Sequence, residues 1–127
     1  MRWFRRHQQP DIWGVVDSGP LGDIEAAQRI REICGSAGSI ADQLATGGRR
    51  AGSEKATETE RYQAAIKRSL ELAMKISDDA MRDVAVSQII GLCVKVDHMK
   101  TARILVRAIK SDETRSELIA SNRALSD

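Results

Sequence analysis

The stretch Met81–Val96, MRDVAVSQIIGLCVKV, constrains this chain most, because no residue between Asp83 and Lys95 is charged. A helix that is apolar on most sides is a buried one, and other elements must pack around it. Val84, Val86, Ile89, Ile90, Val94 and Val96 are β-branched and suit a strand, but the run is about twice a usual strand in length. Its entrance is also helical: Ser77, Asp78 and Asp79 offer side-chain oxygens to free first-turn amides. Asp83 lies near the positive dipole end and Lys95 at the negative end. Met81, Val84/Ala85, Ile89 and Leu92/Cys93/Val96 recur at helical spacing. Gly91 costs roughly 1 kcal/mol against Ala and reads as a point of close helix approach.

A chain of 127 residues supports one domain with a real core, not two. The net charge of +2 sets up no global field for nucleic acid or membrane. Aromatics are scarce: Trp3, Phe4 and Trp13 fall in the leader, and Tyr62 is the only other one. The core must therefore be aliphatic. Cys34 and Cys93 make no disulfide framework and form no CxxC; Cys93 reads as a small buried hydrophobe. Met1–Arg6 is followed by no apolar signal segment, and no stretch is long enough to span a bilayer. The expected location is a reducing cytoplasm.

Residues 1–22 read as an irregular leader punctuated by Pro10, Gly14, Gly19, Pro20 and Gly22. Its Trp3 and Phe4, beside Arg2, Arg5 and Arg6, suit either base stacking or a lipid interface; the plainer expectation is that its tryptophans close one end of the helical body. Residues 23–127 read as a single helical domain. Within it, 23–46 carries Ile24, Ala27, Ile30 and Ile33/Cys34 on one face, and the pattern resumes at Ala37, Ile40/Ala41 and Leu44/Ala45. The intervening Gly35-Ser36-Ala37-Gly38-Ser39 allows one kinked helix or two short ones, and its glycines and serines favour two. Residues 46–57 read as an internal linker. Thr57-x-x-Glu60 reads as a capping box for the helix 57–76. Asp97 is the expected cap of a helix over 98–110, and Ser111-Asp112 of a last helix over 113–125.

Sliding the chain on itself by 33 residues places Leu72 on Leu105, Ala73 on Val106, Ile76 on Ile109, Asp79 on Asp112 and Arg82 on Arg115. Two segments thus align, 60–92 and 93–125, each with Ile-x-x-Asp-x-x-Arg at a helix–turn–helix. The Ile closes the first helix on the core, the Asp caps the second, and the Arg reaches back to the first helix's free carbonyls. In the second segment Val84 gives way to Glu117 and Ile89 to Asn122, the greater polarity of a terminal unit. On this period and signature the chain resembles helical-hairpin repeats of the tetratricopeptide and pentatricopeptide type over residues 60–125. The Trp, Leu-Gly, Tyr and Pro positions of the tetratricopeptide pattern are not met in this chain. The resemblance implies an α-solenoid-like stack serving as a scaffold or binding surface. The expected fold is therefore all-α: a helical bundle or short stack of antiparallel hairpins, with five to six helices. Two repeats are fewer than the usual three, so the N-terminal helices, a partner or a second copy must supply the third layer.

Chemical equipment is sparse. His7 and His98 are the only histidines, and neither stands at metal-ligand spacing to a cysteine. No catalytic triad is visible, and Cys34 has a base only if the fold brings His98 to it. Arg49-Arg50 lies outside any phosphate-loop pattern. No enzyme, cofactor or metal is expected. The expected function is a small protein–protein interaction module of adaptor, chaperone or inhibitor type. The alternative is binding of nucleic acid or an acidic partner through the stripe Lys100, Arg103, Arg107 and Lys110, aided by the leader residues Arg2, Trp3, Arg5 and Arg6. Asp97, Asp112 and Glu113 flank the stripe and favour a solvated face. A symmetric homo-oligomer is compatible with either.

Overall fold

A computed structural model of the chain describes residue 12 and residues 22–45 and 52–126, with the backbone alone for Ala45 and residues 52–57. All regular structure among these residues is helical: α1 (Asp23–Ala45), α2 (Gly52–Ala73), α3 (Asp79–Lys95), α4 (Met99–Ala108), α5 (Asp112–Ser121) and a closing 3-10 turn, Arg123–Ser126. The protein is an all-α helical bundle. The leader, apart from Ile12 and Gly22, lies outside the described residues. None of the described helices is long and apolar enough to cross a membrane.

α3 is the centre that its sequence implies: it packs against α1, α2 and α4. Ala85, Val86, Ile89, Ile90, Leu92 and Cys93 are buried, and they meet Ile30 and Ile33 of α1, Leu72 of α2 and Val106 of α4 in one core. It is not wrapped on all sides, however. Val84, Gly91 and Lys95 form an exposed stripe with Gln88 half-buried between them.

Several helix boundaries differ from expectation. Residues 23–45 form one unbroken helix, not two. Ile30, Ile33 and Ala37 are fully buried on a single stripe, and this packing holds the helical phase through Gly35 and Gly38 against their propensity. α2 begins at Gly52, so residues 52–57 of the expected linker are helical and Thr57-x-x-Glu60 does not mark the helix start. Asp97 is not a helix N-cap either. It takes the left-handed conformation (φ 64°) at the end of α3. There Asp97 N donates to Val94 O at 3.2 Å and His98 N to Cys93 O at 2.7 Å, the paired bonds of a Schellman C-terminus. His98 occupies the N-cap position of α4 and makes no side-chain cap bond.

The two Ile-x-x-Asp-x-x-Arg corners are built alike. Ile76 and Ile109 are each 1% exposed. Arg82 donates from Nε to Ile76 O at 3.0 Å and pairs with Asp79, while Arg115 donates to Ile109 O and pairs with Asp112. The capping role falls one residue earlier than the signature suggests: Asp78 accepts from Met81 N at 2.8 Å and Ser111 from Thr114 N at 3.2 Å. Asp79 and Asp112 instead hold the arginines.

A carboxylate from another helix clamps each corner. Asp23, the first residue of α1, accepts from Ser77 N and Asp78 N, both at 3.0 Å, and from the Ser77 hydroxyl at 2.9 Å. Asp83 of α3 accepts from Lys110 N at 3.0 Å and Ser111 N at 2.9 Å. Lys110 and Ser111 stand 33 residues after Ser77 and Asp78, so the same two corner amides are held both times. These are amides that lack helical partners. The sequence gives Asp83 only a dipole role; its clamp is a tertiary contact.

The last helix is shorter than expected. α5 ends at Ser121 with Asn122 as its C-cap, and none of its residues is buried. The 3-10 turn then returns Leu125, 4% exposed, to the core, and Arg103 Nη1 donates to Ala124 O at 3.3 Å to hold it.

Candidate functional site

The basic stripe is partly consumed by the fold. Arg103 is half-buried and bonds the closing turn. Lys110 has its backbone N–H on Asp83 and its Nζ 3.8 Å from Asp79 Oδ1. Lys100 and Arg107 are exposed. Arg2, Trp3, Arg5 and Arg6 lie outside the described residues. Within the leader, Ile12 packs against the core, and its carbonyl accepts from Arg29 Nη2 at 3.2 Å.

Among the described residues, two open clefts stand out. One, of about 440 Å³, separates α2 from the start of α4; Ile66, Leu70 and Met74 wall it, with His98 and Thr101 opposite. Met74 is 79% exposed there. The other, of about 560 Å³, runs between the outer faces of α1 and α3. Cys34 and Leu92 contribute apolar surface, Arg31 and Gln88 stand at its sides, and the exposed Gly35 and Gly91 open it, while Gly38 lies buried against the Lys95 side chain. Lys95 Nζ meets Asp42 Oδ2 at 3.0 Å, tying α3 to α1 at one end.

The glycines explain the shape of this second groove. A Cβ on Gly35 or Gly91 would meet nothing within 4 Å, and one on Gly38 would stand 3.7 Å from the Lys95 side chain, an ordinary contact. No neighbouring helix therefore demands glycine at these positions. Gly91 is exposed, and the close helix approach that its sequence setting suggests does not occur. A helix-interior glycine costs about 1 kcal/mol against alanine, and here that cost leaves open groove instead of permitting a packed interface.

Both cysteines are free thiols, Cys93 buried and Cys34 half-buried. Cys34 Sγ lies 3.9 Å from Ser69 Oγ, and burial raises its thiol pKa, partly offset by that contact. Cys93 is pushed up to about 12, first by burial and then by the nearby Cys34. Thiols held protonated are poor nucleophiles and metal ligands. Cys34 faces the α1/α3 groove and His98 the α2/α4 cleft, so the fold does not pair them. Among the described residues, no three His, Cys, Asp or Glu side chains are grouped to hold a metal.

No family model, curated protein or solved structure matches this chain. The basic stripe and leader residues that the sequence singles out do not include this glycine groove. Its signal was present as three glycines inside two helices, but at the level of sequence they read as a break in α1 and a packing point in α3.

Proposed function

We propose that this protein is a small non-enzymatic helical interaction module whose α1/α3 groove receives another protein surface. The observation that carries the reading is the pair Gly35 and Gly91, solvent-facing and helix-interior, with free space where a side chain would stand. A partner whose backbone or helix approaches closely uses such space; a solvated face gains nothing from it. The resemblance to helical-hairpin repeats and the likeness of the two clamped corners support the same scaffold role. The mixed rim, with Arg31, Asp42, Gln88 and Lys95, gives a protein partner both polar contacts and register.

The test is capture of partners from source lysate by the tagged wild-type chain and by Gly35→Leu, at low and high salt and after nuclease. A defined protein retained through high salt and nuclease by the wild type, and lost with Gly35→Leu, supports the module. Retention of nucleic acid at low salt and its release at high salt, unaffected by Gly35→Leu, assigns function to the basic stripe and overturns the reading.

A further inference from the structure

The outer face of α1 is self-complementary. Arg31 precedes Gly35 by four residues, and Asp42 follows Gly38 by four. The stripe Arg31, Gly35, Gly38, Asp42 thus has the spacing four, three, four, which keeps all of them on one helical face, and all line the α1/α3 groove. If the same stripe is laid against itself in the antiparallel sense, Gly35 meets Gly38, and Arg31 meets Asp42, twice. Cys34 and Ser39, one residue outside each glycine, also fall opposite one another.

We propose that the α1/α3 groove docks a second copy of this chain, with the two α1 helices antiparallel about a two-fold axis between Gly35 and Gly38. This rests on the reading of the groove as a protein-docking face and names the protein that occupies it. An isologous contact requires a surface that complements itself under a two-fold rotation, and this stripe does so in both shape and charge. The exposed Gly35 lets the two helix backbones approach closely, as small residues do at tight helix crossings, and Gly38, buried under the Lys95 side chain in the single chain, becomes available only when that side chain shifts. Gly91 on α3 leaves the flank of the groove clear for the incoming helix, and the exposed Val84 on the same face of α3 adds apolar surface.

The charges set the register. Arg31 is exposed and reaches the partner's Asp42. Lys95 already takes Asp42 Oδ2, and a carboxylate has a second oxygen for a second cation. The Lys95 side chain, which covers Gly38 in the single chain, moves aside as the helix seats. Such rim pairs choose orientation and partner more than they add affinity. An antiparallel two-fold contact satisfies both arginines, whereas a parallel one sets Arg31 against Arg31 and Asp42 against Asp42.

The experiment is sedimentation equilibrium on the full chain from about 1 to 200 µM. The wild-type mass should rise with concentration from 14.0 kDa toward twice that value. Arg31→Asp and Asp42→Arg should each weaken association at least tenfold, and an equimolar mixture of the two should restore it, because in the mixed pair every contact is again acid against base. Gly35→Leu should remain monomeric throughout while melting at or above the wild-type temperature, which separates a blocked interface from a misfolded chain. A wild type that stays monomeric, a dimer that survives Gly35→Leu, or a mixture no stronger than either single variant overturns the proposal. A monomeric wild type whose capture of a different protein is lost with Gly35→Leu overturns self-docking and leaves the interaction module standing. A dimer dissociated by Gly35→Leu, with no other protein captured, supports self-docking and removes the wider module.

Discussion

Replacing Asp83 tests whether this fold is held at its corners. The carboxylate is 6% exposed and accepts from Lys110 N and Ser111 N at 3.0 and 2.9 Å. A hydrogen bond to a charged group contributes about 1.5–3 kcal/mol. Water that enters the partly open corner recovers some of this, so Asp83→Ala should cost about 2–4 kcal/mol, or roughly 10 °C in melting temperature for a domain of this size. Asp83→Asn should cost more than half as much, since one oxygen is replaced by an amide N–H₂ that faces a backbone donor. Asp112→Ala is the control: its side chain is 90% exposed and pairs with Arg115 in the first turn of α5, where exposed pairs contribute under about 1 kcal/mol. Urea denaturation followed by helical circular dichroism measures all three. If Asp83→Asn lies within about 1 kcal/mol of wild type, the residue acts only through the dipole of α3, and the clamp is not a stabilising feature.

Three further outcomes follow from the structure. Gly91→Ala should raise stability by about 0.5–1 kcal/mol, because its Cβ meets nothing within 4 Å and helix propensity alone changes; a loss on thermal melting would place a packed neighbour there. Asp23 has its pKa lowered from 3.8, chiefly by the Ser77 amide and hydroxyl, so its contribution is complete above pH 4 and disappears as pH falls through the lower folded-state value. Asp23→Asn should flatten that acid limb in a pH series of denaturation midpoints. At the other end, the Cys93 thiol ionises in the unfolded chain near 9 but in the fold only near 12, so stability should fall as pH rises above 9. Cys93→Ala should lessen that decline, leaving the part owed to the raised Cys34 thiol, and Cys93 in the folded wild type should resist alkylation at pH 8 until denaturant is added.

Much of the fold is legible along the chain because its cues are local. The uncharged run after Asp83 marks the central helix, since burying a helix on three neighbours requires apolar residues around most of it. Ile76 with Arg82, and Ile109 with Arg115, announce the two corners, because an arginine six residues on reaches back within a single turn of chain. Ser111 and Asp78 are visible as caps for the same reason. What sequence leaves open depends on partners distant along the chain. α1 stays whole through Gly35 and Gly38 because α2 and α3 pack on its Ile30 and Ile33. Asp23 lies 54 residues from Ser77, and Asp83 27 from Lys110, so no spacing rule reveals either clamp. The groove is least legible of all: whether a helical glycine permits contact or leaves space depends on what stands opposite its missing side chain, and for Gly35 and Gly91 only the packed tertiary structure decides that.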